Sequence, residues 1–303
     1  MREVALLVAL LLLPSASIVA GAEEVSASVT LPDRHVRADG RLIAPTHPNI
    51  RSVIVIMRWG VGGDVYRDAD WRDVAKRMGA ALLLLDLQAT VLPPAGERLP
   101  PEKQVIRNAA LGGGDALLAL LDRFGEFPGY AAVKKAPLLL WGFSASGSFV
   151  TTFAAAHPER TLGFVRYHSH ARNLPVNMTV ISKLPALIIA AADDKTAGVD
   201  DARDFSRQGR AARAPWTFAV HPQQAHGGGL SESKAFMLAW IEAVTRQRLG
   251  GSGSLAVAAA GWLGNATTRS AFHAGDYEAS LVEATWLPDE HTAKLWQALI
   301  KGE

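Results

Sequence analysis

The sequence predicts an α/β protein with a mostly parallel central sheet and helices on both faces. Two observations carry this. Between Glu23 and about Gly250, short and nearly unbroken apolar runs alternate with longer amphipathic stretches. A strand apolar at every position has to be covered on both sides, which is the situation of a parallel sheet between helical layers. Each connection is also long enough for a crossover helix, as parallel pairing demands. Residues 53–57, 81–85, 137–141, 162–165, 186–190 and 217–220 read as the strands. Helices are expected over 71–78, 115–124, 145–157, 199–208 and 231–246, and Glu24–Leu31 reads as an added antiparallel strand.

Composition narrows the possible chemistry. The 303 residues are 49% apolar and include no cysteine, so a disulfide scaffold, thiolate-bound zinc and a cysteine nucleophile are all excluded. A chain of this length buries enough surface to fold without such staples. The 31 basic and 29 acidic residues are nearly balanced and form no block, so neither nucleic acid nor an anionic membrane is an expected partner.

The first 22 residues differ from the rest. Arg2 opens them, an apolar run spans 5–13, Pro14 ends it, and Ala20-Gly21-Ala22 sets small residues before Glu23. That layout is a secretory signal peptide. The run is about half of the ~20 apolar residues that a membrane span needs, so no stable span is expected. The division is a signal peptide over 1–22, a body over 23–249, and an extension over 250–303 that opens on the linker-like Gly250-Gly251-Ser252-Gly253-Ser254. The mature protein is expected to be secreted or periplasmic. In the extension, Asp289 reads as a helix N-cap, followed by Leu295, Trp296, Leu299 and Ile300 on one face. This short helical tail is expected to pack on the body.

The segment 138–147, Leu-Leu-Leu-Trp-Gly-Phe-Ser-Ala-Ser-Gly, runs a buried strand straight into a helix through small residues with Ser144 in the middle. A hydroxyl attacks well only if it stands clear of the backbone on a sharp turn, and the residues two before and two after must then be small. Those residues are Gly142 and Ser146. The segment resembles the nucleophile elbow of the α/β-hydrolase family, with serine in place of the second glycine, and the resemblance extends over about Glu23 to Gly250. Secreted serine esterases and dienelactone-hydrolase-like proteins look nearest. The dienelactone enzymes themselves use a cysteine nucleophile, which this chain lacks.

The resemblance implies the chain order serine, acid, histidine, each on a loop after a later strand. The strand over 186–190 leads to Asp193-Asp194, of which Asp194 matches the acid better and Asp193 stays open. The strand over 217–220 leads to His221 and then to His226, followed by three glycines; His226 is the better match for the base. An oxyanion hole would take the amide of Ala145 and a second from the loop 58–63, with Trp59 and Gly60 as first choices and Val61 third. Trp59 could instead wall the acyl pocket.

Other signals compete with this reading. Gly60-Val61-Gly62-Gly63 with Asp86 imitates half of a dinucleotide fingerprint, but the next expected helix starts about eight residues later, so no cofactor is expected. Gly112-Gly113-Gly114 reads as a helix break. His168-Ser169-His170 has the spacing of a metal pair without an evident third ligand, and reads as packing or pocket lining, with no metal. The expected function is a secreted serine hydrolase acting on a small-molecule or polymeric carboxylic ester, at a fairly open site. Peptidase, amidase or lactonase activity on the same triad, or a non-catalytic binding role on the same fold, are the alternatives.

Overall fold

Residues 53–57 alternate between two destinations, and that alternation organises the molecule. In the computed structural model, Val53, Val55 and Met57 belong to one apolar core, while Ile54 and Ile56 belong to a second core on the other side of the sheet. The structure describes residues 24–45, 49–90, 104–170, 174–250, 255 and 261–303. The expected signal peptide and most of the expected linker lie outside them.

The strands of the main sheet are β1 (Glu24–Leu31), β2 (Val36–Ile43), β3 (Ser52–Met57), β4 (Ala80–Ala89), β5 (Leu138–Phe143), β6 (Thr161–Tyr167), β7 (Ala186–Ala191) and β8 (Trp216–His221). Their spatial order is β1-β2-β4-β3-β5-β6-β7-β8. β1 and β2 pair antiparallel, β2 pairs antiparallel with β4, and every later pairing is parallel. The sheet is thus mostly parallel, as its unbroken apolar runs require.

The helices are α1 (Gly62–Arg67), α2 (Ala69–Met78), α3 (Gly113–Phe124), α4 (Ala145–Ala156), α5 (Met178–Ile181), α6 (Val199–Ala211) and α7 (Leu230–Arg248). On one face, α3, α4 and α6 bury Leu117, Leu120, Phe149, Phe153 and Phe205. On the other, α1, α2 and α7 bury Val65, Trp71, Phe236, Trp240 and Ile241. Local signals set the ends. The Asp68 carboxylate accepts the N–H of Asp70 at 2.9 Å to cap α2, and Gly79, at φ 65°, closes it.

Three expectations need correction. The glycines at 112–114 do not break a helix. Gly112 precedes α3 in a left-handed conformation and the next two form its first turn, packed so closely that a Cβ on Gly113 would meet Phe149 at 2.9 Å. The Gly60–Gly63 loop is not eight residues from a helix, because α1 starts inside it at Gly62. The extension is more than a helical tail. Strands β9 (Trp262–Asn265), β10 (Ser270–His273) and β11 (Ala284–Leu287) form a separate antiparallel sheet in the order β10-β9-β11, before the expected helix α8 (Glu290–Lys301).

The extension packs on β8. The hydroxyl of Thr285 donates to the Phe218 carbonyl at 2.9 Å, and the indole N–H of Trp296 donates to that same carbonyl at 2.9 Å. Trp286, Leu287, Trp296 and Leu299 are buried in the core that also holds α7. α8 starts where its sequence indicated, with the Asp289 carboxylate accepting the N–H of Thr292 at 2.9 Å.

Candidate active site

β5 ends in Phe143, and α4 begins at Ala145. Ser144 alone makes the turn, with φ 51° and ψ −118°. A non-glycine residue there carries strain, which the surrounding structure must over-determine. It does so with backbone hydrogen bonds: the Ser144 N–H donates to the Tyr167 carbonyl at 3.0 Å, and the Gly147 N–H donates to the Ser144 carbonyl at 3.1 Å. A Cβ on Gly142 would stand 2.4 Å from the Ser146 carbonyl oxygen, so the strand and helix leave room only for glycine. Ser146 fills the place of the second glycine by folding its hydroxyl back onto the Phe143 carbonyl at 2.8 Å.

The two loops that follow β7 and β8 bring the other expected residues to Ser144. The imidazole Nε2 of His226 lies 2.9 Å from the Ser144 Oγ, and its Nδ1 lies 2.7 Å from an Asp194 carboxylate oxygen. The other Asp194 oxygen accepts the N–H groups of Thr196 at 2.8 Å and Ala197 at 2.9 Å. Burial alone would push the Asp194 carboxyl up, but the hydrogen bonds from His226, Ala197 and Thr196 outweigh it and hold its pKa below the usual value. An ionised carboxylate only accepts, so Nδ1 carries the imidazole proton and Nε2 presents a lone pair to the serine hydroxyl. The Phe143 ring lies against the His226 ring with centroids 4.8 Å apart.

The alternatives differ in their surroundings. The side chain of Asp193 is exposed, while Asp194 is buried against His226. His221 is also buried, beneath the Gly229 turn, where a Cβ would meet its ring at 2.1 Å. The amide choices divide too. Trp59 is a correction: its N–H donates to the Met57 carbonyl at 2.8 Å, so it has no proton to offer a ligand. Among the described residues, the N–H groups of Ala145, Gly60 and Val61 have no acceptor. Gly60, at φ 54°, passes so close to Phe143 that a Cβ would stand 2.4 Å from its ring. The Trp59 side chain is 44% exposed, free of the core.

His168 and His170 do not act as a pair. His168 Nδ1 accepts the N–H of Gly227 at 3.0 Å, while His170 Nε2 lies 3.2 Å from an Arg107 nitrogen. Sequence reasoning passed over Arg166, whose one signal was a charge inside the apolar run of β6. It is fully buried beneath the first turns of α4, donating to Thr151 Oγ1 at 2.6 Å and to the His170 carbonyl at 2.5 Å. Burial lowers its pKa to about 9, with the charge of Asp201 opposing the shift.

A mostly parallel sheet with helices on both faces, an elbow serine between β5 and α4, and an aspartate and a histidine brought to it on the loops after β7 and β8 is the arrangement of the α/β-hydrolase fold, and this chain has it. Solved structures agree. An esterase of Pyrococcus furiosus is similar at 13% identity and a TM-score of 0.51, over 76% of this chain and 94% of that one. A cold-adapted esterase from an Arctic intertidal metagenomic library is similar at 14% identity and a TM-score of 0.50, over 73% and 93%. Dipeptidyl peptidase 4 of Porphyromonas gingivalis is similar at 14% identity and a TM-score of 0.51, over 72% of this chain. The chain spans about a third of the length of the dipeptidyl peptidase chains it matches, 35% and 36%. At these identities the likeness is one of fold. Within that fold, residues 117–239 match the model of the dienelactone hydrolase family, a stretch that holds Ser144, Asp194 and His226. No protein of curated function matches the chain.

Proposed function

We propose that this protein is a secreted serine hydrolase that cleaves carboxylic esters through an acyl-enzyme intermediate. The observation that carries the reading is the unbroken hydrogen-bond series from Ser144 through His226 to Asp194, at 2.9 and 2.7 Å. In the reaction, the Ser144 oxygen attacks the acyl carbon while His226 Nε2 takes its proton, then returns it to the departing alcohol. Asp194 holds the imidazole in the required tautomer and stabilises the imidazolium. The uncommitted amides of Ala145 and of Gly60 or Val61 are the donors available to the tetrahedral oxyanion, Ala145 at a helix N-terminus that already favours negative charge. Water then repeats the sequence on the acyl-enzyme.

The first 22 residues support secretion, with the exported protein beginning at Glu23. The test is a panel of short acyl esters, aryl esters, polyesters and peptides, assayed with the protein and with Ser144→Ala. Ester cleavage that falls by about 10³-fold or more in the variant is expected. Cleavage of peptides alone would transfer the triad to a peptidase, and equal rates for the two proteins would remove Ser144 from the chemistry.

A further inference from the structure

His168 directly follows β6, is fully buried, and has no part in the proton path just described. Its backbone sits at φ 46°, in the left-handed region, which costs a residue other than glycine. Its ring stacks on that of Tyr167, with centroids 4.0 Å apart and planes at 13°. The pair reaches both halves of the site. The Tyr167 carbonyl accepts the N–H of Ser144 at 3.0 Å. The Tyr167 hydroxyl donates to the Gly228 carbonyl at 2.5 Å, and His168 Nδ1 accepts the N–H of Gly227 at 3.0 Å. The last residue of β6 and the residue after it therefore tie the nucleophile turn to the backbone just after His226.

The chemistry of the ring fits that use. An Nδ1 that accepts is unprotonated, so the neutral ring carries its proton on Nε2, which is buried without a partner among the described residues. A buried donor left unmet is costly, and the backbone adds strain. Burial lowers the His168 pKa to about 4, with His226 and His221 acting in the same direction and Asp194 opposing them. The accepting form therefore persists at neutral pH.

We propose that His168 is a positioning residue: by accepting the Gly227 N–H it fixes the backbone after His226 and so holds that imidazole at hydrogen-bond distance from the Ser144 oxygen. The inference rests on the hydrolase reading above and deepens it. What the position needs is an acceptor on a side chain that tolerates the left-handed backbone. Asparagine supplies both, because its Oδ1 can stand near where Nδ1 stands and it enters that region readily.

The test compares His168→Ala and His168→Asn with the parent protein on one good ester, together with the rate of fluorophosphonate labelling and the thermal midpoint. Expected for H168A is a kcat lower by about tenfold or more with KM within about threefold, and labelling slowed in step, since a misplaced catalytic group costs this much. H168N should return to within about threefold of the parent. If H168A does not fold, His168→Leu, closer in volume, replaces it with the same outcomes. A kcat unchanged on loss of the acceptor, or an H168N as slow as H168A, overturns the proposal. A parent protein that neither cleaves an ester nor takes the probe contradicts the hydrolase reading instead.

Discussion

Gly142, Ser144 and His168 are each held where an ordinary side chain or backbone would not settle, and the Ser144 N–H donates to the carbonyl of Tyr167, the residue before His168. The Cβ that glycine omits at 142 would overlap the first turn of α4, and Ser144 and His168 both occupy positive φ. His168 also gives a stability signature. Its imidazole is protonated near pH 6.5 when exposed and near pH 4 when folded, the difference being due first to burial. Between those values the unfolded chain binds more protons, so the contribution is complete above about pH 6.5 and is lost as pH falls toward 4. The loss is on the order of 3 kcal/mol by pH 4. Asp194, whose pKa is lowered, keeps its contribution above the ordinary carboxylate range and loses it only in more acidic solution. Denaturant midpoints measured at pH 7.5 and 4.5 should therefore converge more in His168→Asn than in the parent. Parallel losses in the two proteins would contradict this assignment; His221, also lowered by burial, is common to both.

Among the elements, legibility follows the apolar pattern. The six parallel strands stood out because both faces of each are covered, and their observed ends lie close to the apolar runs except in β4, which continues past Leu85 to Ala89. β2 escaped notice because Arg37, Asp39 and Arg41 interrupt it, with Gly40 among them, although its buried positions alternate strictly at Val36, Ala38, Gly40 and Leu42. Gly40 is a place of close approach, where a Cβ would meet Leu120 at 2.7 Å. β9, β10 and β11 were illegible for another reason: four residues each are too few for a period to show. α8 was legible through its Asp289 cap and its one-sided apolar face. The extension it belongs to shares the core of α7, which leads to a stability prediction. Trp296→Ala should cost about 3–5 kcal/mol in denaturant unfolding. A cost below about 1 kcal/mol would mean that the extension is carried by the body without supporting it.

At the scale of the whole molecule, the sheet gathers residues that the sequence scatters. Ser144 and His226 are 82 positions apart and His226 and Asp194 are 32 apart, yet one imidazole bonds both partners. The order of those three residues and their places after successive strands were readable, because a parallel sheet delivers the C-terminal ends of its strands to one crevice. Only the fold shows that Asp194 is buried against His226 while Asp193 is exposed. The free amides of the loop after β3 were not readable, since only the fold shows that the Trp59 N–H already donates to the Met57 carbonyl while that of Gly60 has no acceptor among the described residues. The tie from His168 to Gly227 left no trace in any motif. The most direct test of the triad is intact-mass and peptide mapping after exposure of the purified protein to a fluorophosphonate at neutral pH. A single adduct on the peptide carrying Ser144, absent from Ser144→Ala and slowed by at least about 10²-fold in His226→Ala, is the predicted result. An unlabelled parent protein, or an adduct on any other serine, would contradict it.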